Sequence, residues 1–214
     1  MIAIIDYGGG NLGSVAKAFK ALGAKVQVTQ NPKDLDKAGK IVLPGVGAFY
    51  DAILSLKRLR LIPPLVRNIK NGKPYLGLCL GMQLLFETSE EDGRHKGLGI
   101  LEGRVKRFSF KRNTALKVPH MGWNQIRRLP APEGPSAPVK DECPLLKEIP
   151  DGAWMYFVHS YYVAPKDKGL IAAATDYGVE FASMLWKDNI YATQFHPEKS
   201  QGFGMRILEN FVGL

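Results

Sequence analysis

Two short runs, far apart in the chain, hold the residue types of covalent acyl transfer. Cys79 lies in Gly77-Leu78-Cys79-Leu80-Gly81, after an apolar stretch led by Pro74 and just ahead of a helical pattern. His196-Pro197-Glu198 follows a second apolar stretch near the C-terminus. A thiolate attacks, an imidazole moves the proton, and a carboxylate holds the imidazole in one tautomer. A thiol on a tight strand-to-helix turn stands clear of the backbone, and flanking glycines let the chain bend and substrate approach. The helix start beyond it offers free N–H groups and a positive dipole end, which favour thiolate over thiol. Cys143 stands before Pro144 in a loop-like stretch with none of these features and reads as structural.

The same residues admit blander roles. A free cysteine is usually a small core residue, but the glycine flanks, the turn and the partner run argue for a nucleophile. His-x-Glu also fits two metal ligands. A zinc site needs a third and fourth ligand, and no His or Cys cluster supplies them, so neither metal nor cofactor is expected. Pro44-Gly45-Val46-Gly47 reads as a turn at a strand end that aims backbone N–H groups at a tetrahedral oxyanion. The N–H groups of Val46 and Leu80 are the candidates, the latter because it follows the nucleophile. Gly8-Gly9-Gly10-Asn11 lacks a full glycine-rich fingerprint and any P-loop lysine, and reads as a tight turn or part of an interface.

These residues need a scaffold, and the first half alternates strand and helix signals. Ile2–Ile5, Val26 with Val28, Ile41 to Leu43, and Tyr75–Leu78 read as strands. Leu12, Val15, Ala16, Phe19 and Leu22 lie on one helical face ended by Gly23. Asn31-Pro32 starts a second helix, and residues 48–59 and 64–71 form two more, the latter ended by Gly72. The rhythm predicts an α/β fold: a mostly parallel central sheet with helices on both faces, binding ligands at the carboxyl ends of its strands. Residues 104–110, 123–127, 154–163, 170–175, 181–186 and 190–195 read as strands with few helices between. They predict antiparallel additions in the C-terminal half. Residues 130–138, with four prolines, read as a surface loop, and residues 204–211 as a closing helix.

At 214 residues the chain fits one domain, taken as 1–214. The net charge of +9 comes from scattered basic residues, with small clusters at Lys57-Arg58, Arg104 to Arg107 and Lys111-Arg112. No aromatic-interleaved platform accompanies them, so a solvated basic surface is favoured over nucleic-acid binding. The N-terminal run lacks a signal-peptide pattern and no apolar run is long enough to span a bilayer. With only two cysteines in unlike contexts, no disulfide framework is expected and the cytoplasm is the expected compartment.

The run G-L-C-L-G-M-Q at 77–83, with H-P-E at 196–198, resembles the class I (triad) glutamine amidotransferases. Asp6-Tyr7-Gly8-x-Gly10-Asn11, Pro44-Gly45-Val46-Gly47, His120-Met121-Gly122-Trp123-Asn124 and Val158-His159-Ser160-Tyr161-Tyr162 narrow it to the glutaminase subunits of imidazole glycerol phosphate synthase. The likeness covers essentially the whole chain, without departure at the triad. It implies a heterodimer with a (βα)₈-barrel cyclase subunit. Glutamine would be hydrolysed to glutamate and ammonia, and the cyclase would use the ammonia to convert PRFAR to imidazole glycerol phosphate and AICAR in histidine biosynthesis. It also implies that Gly47, Gln83, Glu91, Ser160 and Tyr161 surround bound glutamine. Gly8, Asn11, His120, Met121, Trp123 and Asn124 are the interface candidates, with core packing the competing role for Trp123. The alternatives are the glutaminase of another triad amidotransferase, a γ-glutamyl cysteine hydrolase without ammonia transfer, and a non-catalytic scaffold.

Overall fold

Four short strands, β1 (Ile2–Ile5), β2 (Val26–Thr29), β3 (Lys40–Leu43) and β4 (Tyr75–Leu78), alternate with helices α1 (Leu12–Ala21), α2 (Pro32–Lys37), α3 (Phe49–Arg58) and α4 (Ile62–Lys70). The computed structural model describes residues 1–110, 115–129 and 142–214. Sequence chemistry sets the helix starts: the Asn11 side chain accepts from Ser14 N, and the Asn31 side chain accepts from Lys33 N ahead of Pro32. After one helical turn, α5 (Leu80–Gln83), come β5 (Phe86–Ser89), β6 (His95–Lys96), β7 (Leu101–Arg107), β8 (His120–Arg128), β9 (Ala153–His159) and β10 (Tyr161–Pro165). The chain ends with β11 (Ile171–Asp176), β12 (Glu180–Lys187), β13 (Ile190–Thr193) and α6 (Gln201–Gly213).

The large sheet has nine strands in the order β2-β1-β3-β4-β13-β12-β11-β8-β9. The strands from β2 to β13 pair in parallel, and those from β13 to β9 pair antiparallel. Every residue of β1 is buried. Ile2 and Ile4 pack with α1 and α6, while Ala3 and Ile5 pack on the opposite face with α2, α3 and α4. Two cores therefore sandwich the sheet, as its continuous apolar runs require. Each buried leucine or isoleucine contributes on the order of 1.5–3 kcal/mol.

The second half departs from the sequence reading in two places. Residues 154–163 are not one strand: β9 ends at His159, and β10 begins at Tyr161 in a different sheet. That second sheet, of four strands in the order β10-β7-β5-β6, packs its Leu101, Val105 and Val163 into the α2–α4 core. The helical pattern after Cys79 is also shorter than expected, because Phe86 already begins β5. The expected loop at 130–138 and the Lys111-Arg112 cluster lie outside the described residues. The remaining predicted elements match to within a few residues.

Candidate active site

Cys79 takes the sharp turn itself. Its φ of 52° and ψ of −104° lie outside the regions that a side-chain-bearing residue prefers, and such strain costs on the order of 1–3 kcal/mol. The Cys79 amide, bonded to Thr193 O at 2.7 Å, helps hold it there. The neighbouring glycines serve close packing rather than bending: neither Gly77 nor Gly81 has positive φ. A β-carbon on Gly81 would meet Leu43 O, and one on Gly77 would sit 2.6 Å from Gly81 O. The chain can cross β3 and β4 this closely only without side chains there. Because α5 is a single turn, its contribution is its unpaired leading N–H groups rather than a macrodipole. Met82 N and Gln83 N bond Cys79 O, leaving the Leu80 N–H at the head of the turn.

The expected base, His196, lies just beyond the neighbouring strand. β13 pairs in parallel with β4, aligning Thr193 with Leu78, so the segments leaving both carboxyl ends meet. His196 Nδ1 lies 2.9 Å from Glu198 Oε1, with the two side chains 4% and 2% exposed. Ser200 Oγ donates to His196 O, and His196 N donates to Tyr156 O. Burial alone would push the imidazole's pKa down. The Cys79 sulfur and the Glu198 carboxylate outweigh it and raise the pKa to about 10. His196 Nε2 has no hydrogen bond of good geometry, yet the sulfur acts strongly on this ring. The arrangement holds His196 as an imidazolium facing the Cys79 sulfur.

A cavity of about 300 Å³ opens above Cys79 and Leu80, walled by Val46, Gly47, Gln83, Glu91, Pro119, Val158, His159, Ser160 and Tyr161. That is the lower end of ligand-sized pockets, ~300–1,000 Å³. Behind its wall lies a second histidine cluster. His120 Nδ1 and His159 Nε2 are 3.0 Å apart, His159 Nδ1 is 2.8 Å from Tyr161 O, and Asn124 Nδ2 is 3.3 Å from His120 Nε2. Burial lowers the pKa of His120 to about 4 and of His159 to about 3. Both rings are therefore neutral at neutral pH, and each hydrogen bond has a fixed direction.

The sequence matches the family Glutamine amidotransferase class-I over residues 3–213. The chain belongs to the class-I glutamine amidotransferases. It is 49% identical to the "Imidazole glycerol phosphate synthase subunit HisH" of Syntrophotalea carbinolica, over 99% of this chain and 98% of that one. To the protein of the same name from Geobacter sulfurreducens it is 50% identical, over 98% and 97%. Among solved structures, PurLQS from Thermotoga maritima superposes with a TM-score of 0.73 at 15% identity, over 99% of this chain and 97% of that chain. A further glutamine amidotransferase crystal structure gives 0.72 at 15% identity, over 100% and 99%. At such low identity these structures speak for the amidotransferase fold alone.

Within this amidotransferase the five residues expected around substrate, Gly47, Gln83, Glu91, Ser160 and Tyr161, all line the cavity. Glu91 Oε2 also accepts from Phe49 N at 2.7 Å, so part of its carboxylate closes the start of α3. Burial raises its pKa, and the bond from Phe49 opposes that rise. Gln83 spends both amide hydrogens internally, on Tyr161 O and Gln194 Oε1, leaving its carbonyl as an acceptor. Val46 reaches the cavity, and the loop holding Gly8 packs against it, Gly10 lying beside Gly45.

The interface candidates divide. Met121 is 62% exposed and Trp123 44%, so Trp123 is not a core residue. Beside Trp123, exposed Trp154 and Phe203 line a groove. Gly8 is exposed at the carboxyl end of β1, and exposed Asn11 caps α1. Asn124 is half-buried, bonded to Asp176 O and His120. His120 is turned inward and 3% exposed, because β8 alternates its side chains and His120 falls on the covered face. It therefore cannot contact a partner directly.

Three residues near the nucleophile were not singled out from the sequence. These are His159, Gln194 and Tyr7, whose buried hydroxyl has no partner and whose pKa is raised by burial and by the Cys79 sulfur. Tyr7 and His159 stand inside the quoted motifs, but nothing in their spacing marks a role. Among the described residues, no group of three or more His, Cys, Asp or Glu side chains could hold a metal ion, and no helix is long and apolar enough to cross a membrane. Cys79 and Cys143 are both free thiols.

Proposed function

We propose that this chain is the glutaminase subunit of imidazole glycerol phosphate synthase and that residues 1–214 act as one amidotransferase domain in the cytoplasm. It hydrolyses glutamine to glutamate and ammonia and passes the ammonia to a cyclase subunit in histidine biosynthesis. The observation that carries the reading is the cavity itself: a strained cysteine faces a charged His–Glu pair under walls contributed by separate loops. Full-length relatives named HisH at about half identity support the choice of pathway.

In the proposed reaction the Cys79 thiolate attacks the side-chain amide carbon of glutamine, forming a C–S bond. The Val46 and Leu80 N–H groups receive the oxyanion. His196, as imidazolium, gives its proton to the amide nitrogen, the C–N bond breaks and ammonia leaves. Neutral His196 then takes a proton from water, whose oxygen attacks the γ-glutamyl thioester. Collapse of that intermediate breaks the C–S bond and frees glutamate. Glu198 holds Nδ1 throughout, so Nε2 makes both transfers. Gly47, Gln83, Glu91, Ser160 and Tyr161 hold the amino-acid end of the substrate.

The half-exposed patch of Met121 and Trp123, with Gly8, Asn11 and Asn124, is the proposed cyclase-facing surface, and an apolar patch of this kind suits a protein partner. Docking turns a peptide near Val46 to complete the oxyanion hole, which spares glutamine when no acceptor is present. Glutamate release is measured with the purified chain alone, with a cyclase subunit, and with a liganded cyclase subunit. Weak turnover alone and strong stimulation by the liganded cyclase are expected, with a diazo-ketone glutamine analogue labelling Cys79. Equal turnover in all three conditions rejects the ammonia-transfer role and favours a free-standing γ-glutamyl hydrolase.

A further inference from the structure

Gln194 follows β13 and is fully buried, with 0% exposure. Its amide meets only two described side chains: Oε1 lies 3.2 Å from Gln83 Nε2, and Nε2 lies 3.5 Å from Cys79 Sγ. Which end of an amide faces which neighbour is settled by the surrounding donors and acceptors. Gln83 approaches Tyr161 O at 3.0 Å, and a backbone carbonyl only accepts, so the Gln83 nitrogen must face it. The second hydrogen of that nitrogen then points at Gln194, which can answer only with its oxygen. Its own nitrogen is left aimed at sulfur. Tyr161 O is fixed in turn, because neutral His159 donates to it from Nδ1 at 2.8 Å.

We infer that Gln194 is a built-in hydrogen-bond donor to the Cys79 thiolate, latched in that orientation by Gln83 and the doubly donated Tyr161 carbonyl. An N–H donor aimed at sulfur favours the anion over the thiol. It also fixes where the sulfur lone pairs point before substrate arrives. Gln194 touches the reacting sulfur, whereas Gln83 and His159 act on it only as positioning residues. The inference rests on Cys79 being the nucleophile.

The other titratable groups facing the sulfur or its cavity are His196 and Glu198 beyond β13, Tyr7 beyond β1, His159 on β9, Tyr161 on β10 and Glu91 beyond β5. All of them remain when Gln194 alone is changed. The pH dependence of iodoacetamide alkylation is therefore followed on the Cys79 peptide by mass spectrometry. The wild-type chain is compared with Gln194→Met, which keeps the volume, and Gln194→Asn, which keeps the amide but is one methylene too short to reach. The midpoint should rise by about one pH unit in both variants, the size expected for losing one hydrogen bond to a charged group. A purely structural role would lower the melting temperature and slow alkylation at every pH without moving the midpoint, and an unmoved midpoint in either folded variant overturns the inference. In the unaltered chain, the Gln194 side-chain amide protons should shift in NMR spectra with the same midpoint. Their failure to respond overturns it without any variant. Absence of label on Cys79 in the wild-type chain is a different failure and removes the nucleophile assignment itself.

Discussion

His196, beyond β13, and the His120–His159 pair, on β8 and β9, are buried alike, at 3%, 3% and 6% exposure. Burial pushes all three imidazoles toward the neutral form. Yet His196 ends near 10, while His120 and His159 fall to about 4 and about 3. The neighbours make the difference. His196 faces a carboxylate and the Cys79 sulfur, whereas the pair faces a carbonyl, an amide and each other. Where a proton must be carried, this fold supplies counter-charge; where a direction must be held, it supplies neutral donors and acceptors.

The comparison can be broken most forcefully at the sulfur. Cys79→Ala should reduce glutamate release by about 10³-fold or more. It should also let His196 titrate well below its wild-type pKa, read by NMR of the imidazole. An unmoved His196 would mean that the carboxylate alone holds its charge. Glu198→Gln is expected to cost about 10²–10⁴-fold in kcat while the chain stays folded, because the isosteric amide no longer stabilises imidazolium. Steady-state rates with melting curves check this.

Smaller effects separate the clusters by pH. The lowered pKa values of His120 and His159 mean that the unfolded chain binds more protons below pH about 6.5. The pair therefore costs stability as pH falls from there, on the order of 2–3 kcal/mol for each ring by pH 4.5. Replacing both rings by phenylalanine should flatten that acid slope in denaturant melts. His196 works the other way: its raised pKa gives stability that is present below about 6.5 and fades as pH climbs toward 10. A His196→Asn chain should show a shallower alkaline decline in denaturant melts, the least of these effects.

The candidate triad was readable in the sequence because a thiol between glycines and a His-x-Glu run are local signals, whereas the five residues that line the cavity came from the family resemblance. The parallel half was readable for a related reason, since strands buried on both faces leave unbroken apolar runs such as Ile2–Ile5. What escaped depends on distant partners. Nothing in the run from 154 to 163 announces that Ser160 divides two sheets, because membership is decided by β8 on one side and β7 on the other. The short α5 gives way to β5 because Phe86 pairs with Leu101 fifteen positions on. Gln194 is a single polar residue between Thr193 and Phe195, and its partners Gln83 and Cys79 lie more than a hundred residues upstream. His120 was placed at a surface by its motif, although the phase of β8 turns it inward.

β13 slots beside β4 in the middle of the large sheet although it is nearly the last element made. Cys79 and His196 are thus more than a hundred positions apart in the chain and meet only when β13 has paired with β4. A chain lacking β13 and the residues after it would carry Cys79 without the imidazole proposed to move its proton.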